Sequence, residues 1–111
     1  ARFAAAFERA YRDYLAFQLD AVLLKLSGTP ADVMAAHERL RSSVRAIDLV
    51  CVASDSGQPA VWILLPLTDV TNARVWMQRV DSTLAAVTSE LSAISGIDPQ
   101  RIRSLRPLEP H

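Results

Sequence analysis

The chain of 111 residues is short of several things, and each shortage closes off a class of protein. It has one cysteine, Cys51, so no intramolecular disulfide is open to it. Cys51 sits inside the apolar run LVCVA, which suits a packed side chain in a reducing compartment rather than a reactive thiol. No apolar run approaches the roughly 20 residues that cross a bilayer, and no signal-peptide pattern is visible. An excess of either charge is also missing: twelve basic residues balance twelve acidic ones. No overall field therefore draws the chain to a nucleic-acid polymer or an anionic membrane, and any anion it binds is held by local geometry. There is no zinc pattern, phosphate loop, Ser-His-Asp set, internal repeat or low-complexity tract.

Apolar side chains are plentiful, at 50% of the residues, enough for the core of one globular domain spanning 1–111. Its first 18 residues read as a helix and residues 19–111 as a sheet with helices. The chain enters that helical pattern without a methionine, which reads as a piece excised from something longer.

Phe3, Phe7, Ala10, Tyr14 and Leu15 recur at helical spacing over residues 2–17, an aromatic stripe whose plain meaning is packing. LDAVLLKL, residues 19–26, has strand length and ends in the turn cluster SGTP. Thr29 and Pro30 then read as N-cap and first turn of a helix with buried positions Val33, His37, Leu40 and Val44, ending near Arg45. Ile47 to Ala53 and Ala60 to Leu65 read as strands joined in a hairpin by SDSGQP. Asp69 or Thr71 caps a long helix with the stripe Ala73, Trp76, Met77, Val80, Leu84, Val87 and Leu91, stopped by Gly96. Asp98-Pro99 turns the chain into a last strand, about Arg101 to Leu105. Strand, helix, strand, strand, helix, strand is the split βαβ order, which predicts an α+β ferredoxin-like antiparallel sheet covered by helices.

Arg45-Ala46-Ile47-Asp48, then LVCVA, SDSGQP and VWILLP, resembles in its order of parts the centre of a GGDEF domain, the fold of diguanylate cyclases. The resemblance covers roughly residues 17–90 and implies a truncated, cyclase-like GGDEF fold. In that family the first strand ends in Asp-x-Asp, whose carboxylates help hold two divalent metals. Here Lys25 and Ser27 fall on those positions, and an ammonium repels a cation. The strand then passes through Gly28 and Thr29 straight into the next helix, which leaves no room for the family's nucleotide-binding segment. Counted back from Pro66, the signature Gly-Gly-Asp/Glu-Glu-Phe falls on Gly57, Gln58, Pro59, Ala60 and Val61, so both acidic positions are lost. The resemblance thus implies a chain with no catalysis, no metal and no cofactor.

What it retains is a binding pattern. An Arg-x-x-Asp between helix and strand is, in that family, the inhibitory-site motif that grips cyclic di-GMP, which assigns ligand binding to Arg45 and Asp48. The family commonly completes the site with an arginine thirteen residues beyond the position of Pro66, where this chain has Arg79. A guanidinium fork matches guanine O6 and N7, and its plane stacks on a base. A carboxylate can accept from guanine N1–H and N2–H. The implied protein is a cyclic di-GMP receptor that regulates exopolysaccharide synthesis or export. Its other partners are synthase or export proteins and a second copy in a homodimer, with no nucleic-acid polymer and no membrane insertion of its own. Its implied place is the cytoplasmic side of an inner-membrane-anchored bacterial protein.

The same residues have plainer meanings. Arg45 is also a helix C-terminal arginine favoured by the dipole and paired with a nearby carboxylate. A decayed cyclase domain can also survive as a ligand-free docking or dimerisation module. His37 reads as a half-buried imidazole, Trp62 and Trp76 as core anchors, and Arg101, Arg103 and Arg106 as a solvated strand face rather than a basic rim.

Overall fold

The protein is described by a computed structural model at residues 2–45, 48–55, 57–80 and 84–107. Helix α1 (Arg2–Phe17) leads into β1 (Ala21–Ser27), α2 (Pro30–Leu40), the hairpin β2 (Leu49–Asp55) and β3 (Gln58–Pro66), and α3 (Val70–Arg79). After these come β4 (Thr88–Ala93), a 3-10 turn (Ile94–Gly96), the short helix α4 (Pro99–Arg103) and β5 (Arg106–Pro107). The strands form one antiparallel sheet in the order β4-β1-β3-β2-β5, with β1 and β3 at its centre.

Both faces of this sheet are covered, so the central strands are apolar almost throughout instead of alternating. Val22, Leu24, Leu26, Val61, Ile63 and Leu65 face α2 and α3, where they meet Val33, Ala36, Leu40 and Ala73. Leu23, Cys51, Trp62 and Leu64 face the other way, onto Phe3 and Phe7 of α1 and Ile102 of α4. Phe7 is fully buried, a transfer worth about 1.5–3 kcal/mol for a side chain of this kind.

Local chemistry starts and stops the elements that frame the site. Thr29 Oγ1 accepts from the Asp32 N–H at 3.2 Å, with Pro30 in the first turn of α2 as its fixed φ favours. Asp69 Oδ1 accepts from the Asn72 N–H at 2.8 Å and caps α3. Between β3 and that cap, Leu67 takes a left-handed φ of 56°, which costs a non-glycine residue about 1–2 kcal/mol.

Three expectations need correction. The predicted long helix ends at Arg79, and Leu91 lies in β4, opposite Leu24 of β1. Residues 81–83, inside that predicted helix, lie outside the described residues. The predicted last strand is instead α4, where Asp98 accepts from the Gln100 N–H at 3.0 Å as an N-cap and Pro99 opens the first turn. Among the described residues of that segment only Arg106–Pro107 pairs as a strand, against Ala53 and Ser54. Leu15, placed in the aromatic stripe, is exposed, while Tyr11 and Tyr14 pack beside Phe7. Smaller shifts affect the second helix, which stops at Leu40, and the second strand, which begins at Leu49 with Ile47 outside the described residues. The split βαβ order survives these changes, because β4 supplies the fourth strand that the 101–105 segment does not.

Candidate binding site

Arg45 follows the turn after α2, Asp48 precedes β2, and Pro66 and Thr68 lie where β3 turns toward α3. α3 contributes Asn72, Val75, Trp76 and Arg79, whose spacings of three and four residues put them on one helical face. Together with Leu65, Arg45, Asp48 and Thr68 they line a pocket of about 210 Å³. Arg45 and Asp48, singled out as one motif, and Arg79, singled out separately, share this pocket.

The Asp48 carboxylate faces Arg45 with both oxygens. Oδ1 accepts from Nη2 at 2.8 Å and Nε at 3.1 Å, and Oδ2 accepts from the Arg45 backbone N–H at 2.8 Å. Nη2 also donates to the Pro66 carbonyl at 3.0 Å and to Thr68 Oγ1 at 2.9 Å. The pair is unequally covered: the Asp48 side chain is 1% exposed and that of Arg45 52%. Hydrogen bonding to Asp48, with its charge, holds the Arg45 pKa above the ordinary guanidinium value against the opposing effect of burial. As arranged, the carboxylate holds the arginine and turns no free oxygen to solvent, so it does not stand ready for guanine N1–H and N2–H as its residue type suggests. The outward groups of the pair are Arg45 Nη1, which makes no hydrogen bond among the described residues, and the flat guanidinium face.

Arg79 is exposed and makes no hydrogen bond or ion pair among the described residues, which leaves its five donors to the pocket. Trp76, expected as a core anchor, is half-buried at the pocket wall and donates Nε1–H to the Ser43 carbonyl at 3.1 Å. That bond ties the turn before Arg45 to α3. Thr68, Asn72, Val75 and Trp76 were not singled out as site residues. Three of them could have been, since they stand seven, four and three residues before Arg79.

Other sequence candidates lie elsewhere. Trp62 is a core residue at 1% exposure on the opposite sheet face. Lys25 has Nζ 5.4 Å from the Trp62 ring centroid, and Arg101 approaches the same ring at 5.4 Å. Arg103 pairs with Glu8 of α1. Arg101, Arg103 and Arg106 thus do not line the Arg45 pocket, nor do they form a common strand face, because two of them lie on α4. Gly57 turns the β2–β3 hairpin and Gln58 to Val61 run in β3. His37 is half-buried, and the described residues contain no group of three or more potential metal ligands. Among the described residues no helix is long and apolar enough to cross a membrane.

No protein-family model matches the chain, and no curated protein matches it by sequence. Solved structures do match in fold. PelD 158-CT from Pseudomonas aeruginosa PAO1 superposes with a TM-score of 0.74 at 23% identity over 92% of this chain, and its form in complex with cyclic di-GMP gives the same values. PelD 156-455 from Pseudomonas aeruginosa PA14, also in complex with cyclic di-GMP, gives 0.74 at 24% identity. The chain spans about two fifths of the length of those PelD chains, 41% and 42%. At such identities the likeness is one of fold alone: a mixed α/β domain similar in fold to part of the PelD chain.

Proposed function

We propose that the chain is a catalytically inactive receptor domain for cyclic di-GMP, with Arg45, Asp48 and Arg79 as its binding residues. The observation that carries this reading is the meeting of Arg45 and Arg79 at one pocket on a fold like that of PelD structures holding the same nucleotide. Cyclic di-GMP offers guanine O6 and N7 acceptors and two phosphates, and the outward groups of both arginines are donors with flat faces for stacking. Asp48 serves by fixing Arg45. A pocket of about 210 Å³ is below the roughly 300–1,000 Å³ that engulfs a whole ligand, so it receives one base edge while the rest of the nucleotide lies along α3.

Lys25, Ser27, Pro59 and Ala60 in place of the cyclase's acidic residues support the inactive assignment. By the same resemblance the domain reports the nucleotide to exopolysaccharide synthase or export proteins, from the cytoplasmic side of a membrane-anchored bacterial protein. Isothermal calorimetry tests the reading: cyclic di-GMP binds with a Kd on the order of micromolar, and cyclic di-AMP, whose N6–H₂ donor replaces the O6 acceptor, binds far more weakly. A folded sample that gives no heat with cyclic di-GMP sinks it. That result would favour the second reading, a ligand-free docking or dimerisation module, to which the exposed Leu15 and Phe17 of α1 are suited.

A further inference from the structure

Arg45 has a second holder besides Asp48. Thr68 Oγ1 accepts from Arg45 Nη2 at 2.9 Å and donates its one proton to the Pro66 carbonyl at 3.1 Å. The same carbonyl accepts from Nη2 at 3.0 Å, which closes a triangle of hydroxyl, carbonyl and guanidinium. Nη2 therefore has three acceptors, Asp48 Oδ1, Pro66 O and Thr68 Oγ1, for two protons, and one proton is shared.

This arrangement fixes the guanidinium on two sides. Asp48 engages Nε and Nη2 from the chain side, and Thr68 with Pro66 engages Nη2 from the β3–α3 turn. Rotation of the plane in either direction breaks bonds on one side or the other. Nη1 is left without a hydrogen bond among the described residues, on a side chain that lines the same pocket as Arg79. Thr68 is itself well placed to act as a fixed point, since it is 9% exposed and β-branched, with little χ1 freedom. The left-handed Leu67 between them brings the Pro66 carbonyl and the Thr68 hydroxyl to the same guanidinium.

We infer that Thr68 is a positioning residue of this site: its hydroxyl orients the Arg45 fork toward the ligand without contacting the ligand itself. The inference rests on the cyclic di-GMP reading of the pocket. A long, free arginine gives up rotamer freedom when a ligand orders it, whereas one already clamped does not, so the clamp appears in affinity.

The test is calorimetry with cyclic di-GMP on the wild type, Thr68→Val, Thr68→Ser, Arg45→Lys and the Thr68→Val/Arg45→Lys double variant. Thr68→Val keeps the branched shape and removes the hydroxyl, and is expected to lower affinity about tenfold. Thr68→Ser is expected to restore it. In the Arg45→Lys background Thr68→Val is expected to add no further loss, because no fork remains to be positioned. If Thr68→Val melts below the assay temperature, Thr68→Ala takes its place in the same cycle. Wild-type affinity in the hydroxyl-free variant, or an undiminished loss in the Arg45→Lys background, overturns the inference and leaves the receptor reading standing. Absence of binding by the wild type overturns the receptor reading and the inference together.

Discussion

The Asp48 carboxylate binds Arg45 twice over, once at its backbone N–H and once along the edge of its side chain. The Asp48 N–H returns a bond to the Arg45 carbonyl at 3.0 Å, so the two residues close the turn between α2 and β2 reciprocally. One side chain thereby shapes the backbone and aims the guanidinium. The exposed partner is the one that can meet a ligand, and the buried partner is the one that cannot be left alone.

That inequality predicts unequal mutational costs. Arg45→Met keeps a cover over the carboxylate but removes its charge partner, which strands a buried anion at a cost of about 1–3 kcal/mol. Asp48→Asn keeps the shape and an oxygen for the Arg45 N–H, and the half-exposed guanidinium falls back on water, Pro66 and Thr68. Urea unfolding should rank Arg45→Met as the less stable variant. Equal stabilities, or the reverse order, would show that Asp48 is hydrated more freely than its 1% exposure implies.

Arg79 gives a cleaner probe of binding than either member of the pair. It is exposed and unpartnered among the described residues, so Arg79→Ala should stay within about 0.5 kcal/mol of wild-type stability. The same variant should lose cyclic di-GMP affinity by about tenfold or more, for a guanine contact worth about 1–3 kcal/mol. Unchanged affinity in calorimetry would remove Arg79 from the site, whatever Arg45 does.

Much of the arrangement was legible in the sequence because its signals were short-range and chemically specific. Thr29-Pro30 and Asp69 are capping chemistry, and they start α2 and α3 where the residue types say. The hairpin follows from its turn residues, whereas Arg45, Asp48 and Arg79 were reached through the GGDEF resemblance, counted from Pro66, and all three residues line one pocket. The misreading of β4 has a definite cause. Val87 and Leu91 are four residues apart, an interval that suits both a 3.6-residue helix and a two-residue strand repeat, so the stripe did not distinguish them. Asp98-Pro99 was read as a turn although the same pair serves equally as N-cap and first helical residue. The Thr68 clamp was not legible, since it joins positions 23 residues apart through a left-handed Leu67 that no residue preference announces.

Gly57 and Gly96 should respond oppositely to alanine. Gly57 sits in the hairpin with φ of 83°, and an added Cβ there meets nothing within 4 Å. The penalty of Gly57→Ala is therefore conformational rather than steric, about 1–2 kcal/mol. Gly96 is equally open in space but is not among the residues of positive φ, so Gly96→Ala should be neutral or stabilise by about 0.4–1 kcal/mol through the unfolded chain. Thermal melts of the two variants make the comparison directly, and a Gly57→Ala protein as stable as wild type would contradict the hairpin geometry.

Acid should release α4 from α1. Arg103 Nη2 donates to Glu8 Oε2 at 3.1 Å, and Arg103 Nε donates to Oε1, which joins residues 95 positions apart. These hydrogen bonds, with the charges of Arg103 and Arg12, hold the Glu8 pKa below its ordinary 4.5 despite some desolvation. A carboxylate with a lowered pKa binds its proton more weakly when folded than when unfolded. Its contribution is thus fully present above 4.5 and fades as the pH falls through the lower folded value. Arg103→Ala should accordingly melt below wild type at pH values of about 5 to 7, by a gap that salt reduces, and the two curves should converge as acid carries the pH below the lowered folded value of Glu8. A gap that persists unchanged in acid would mean that Arg103 stabilises α4 through packing, not through Glu8.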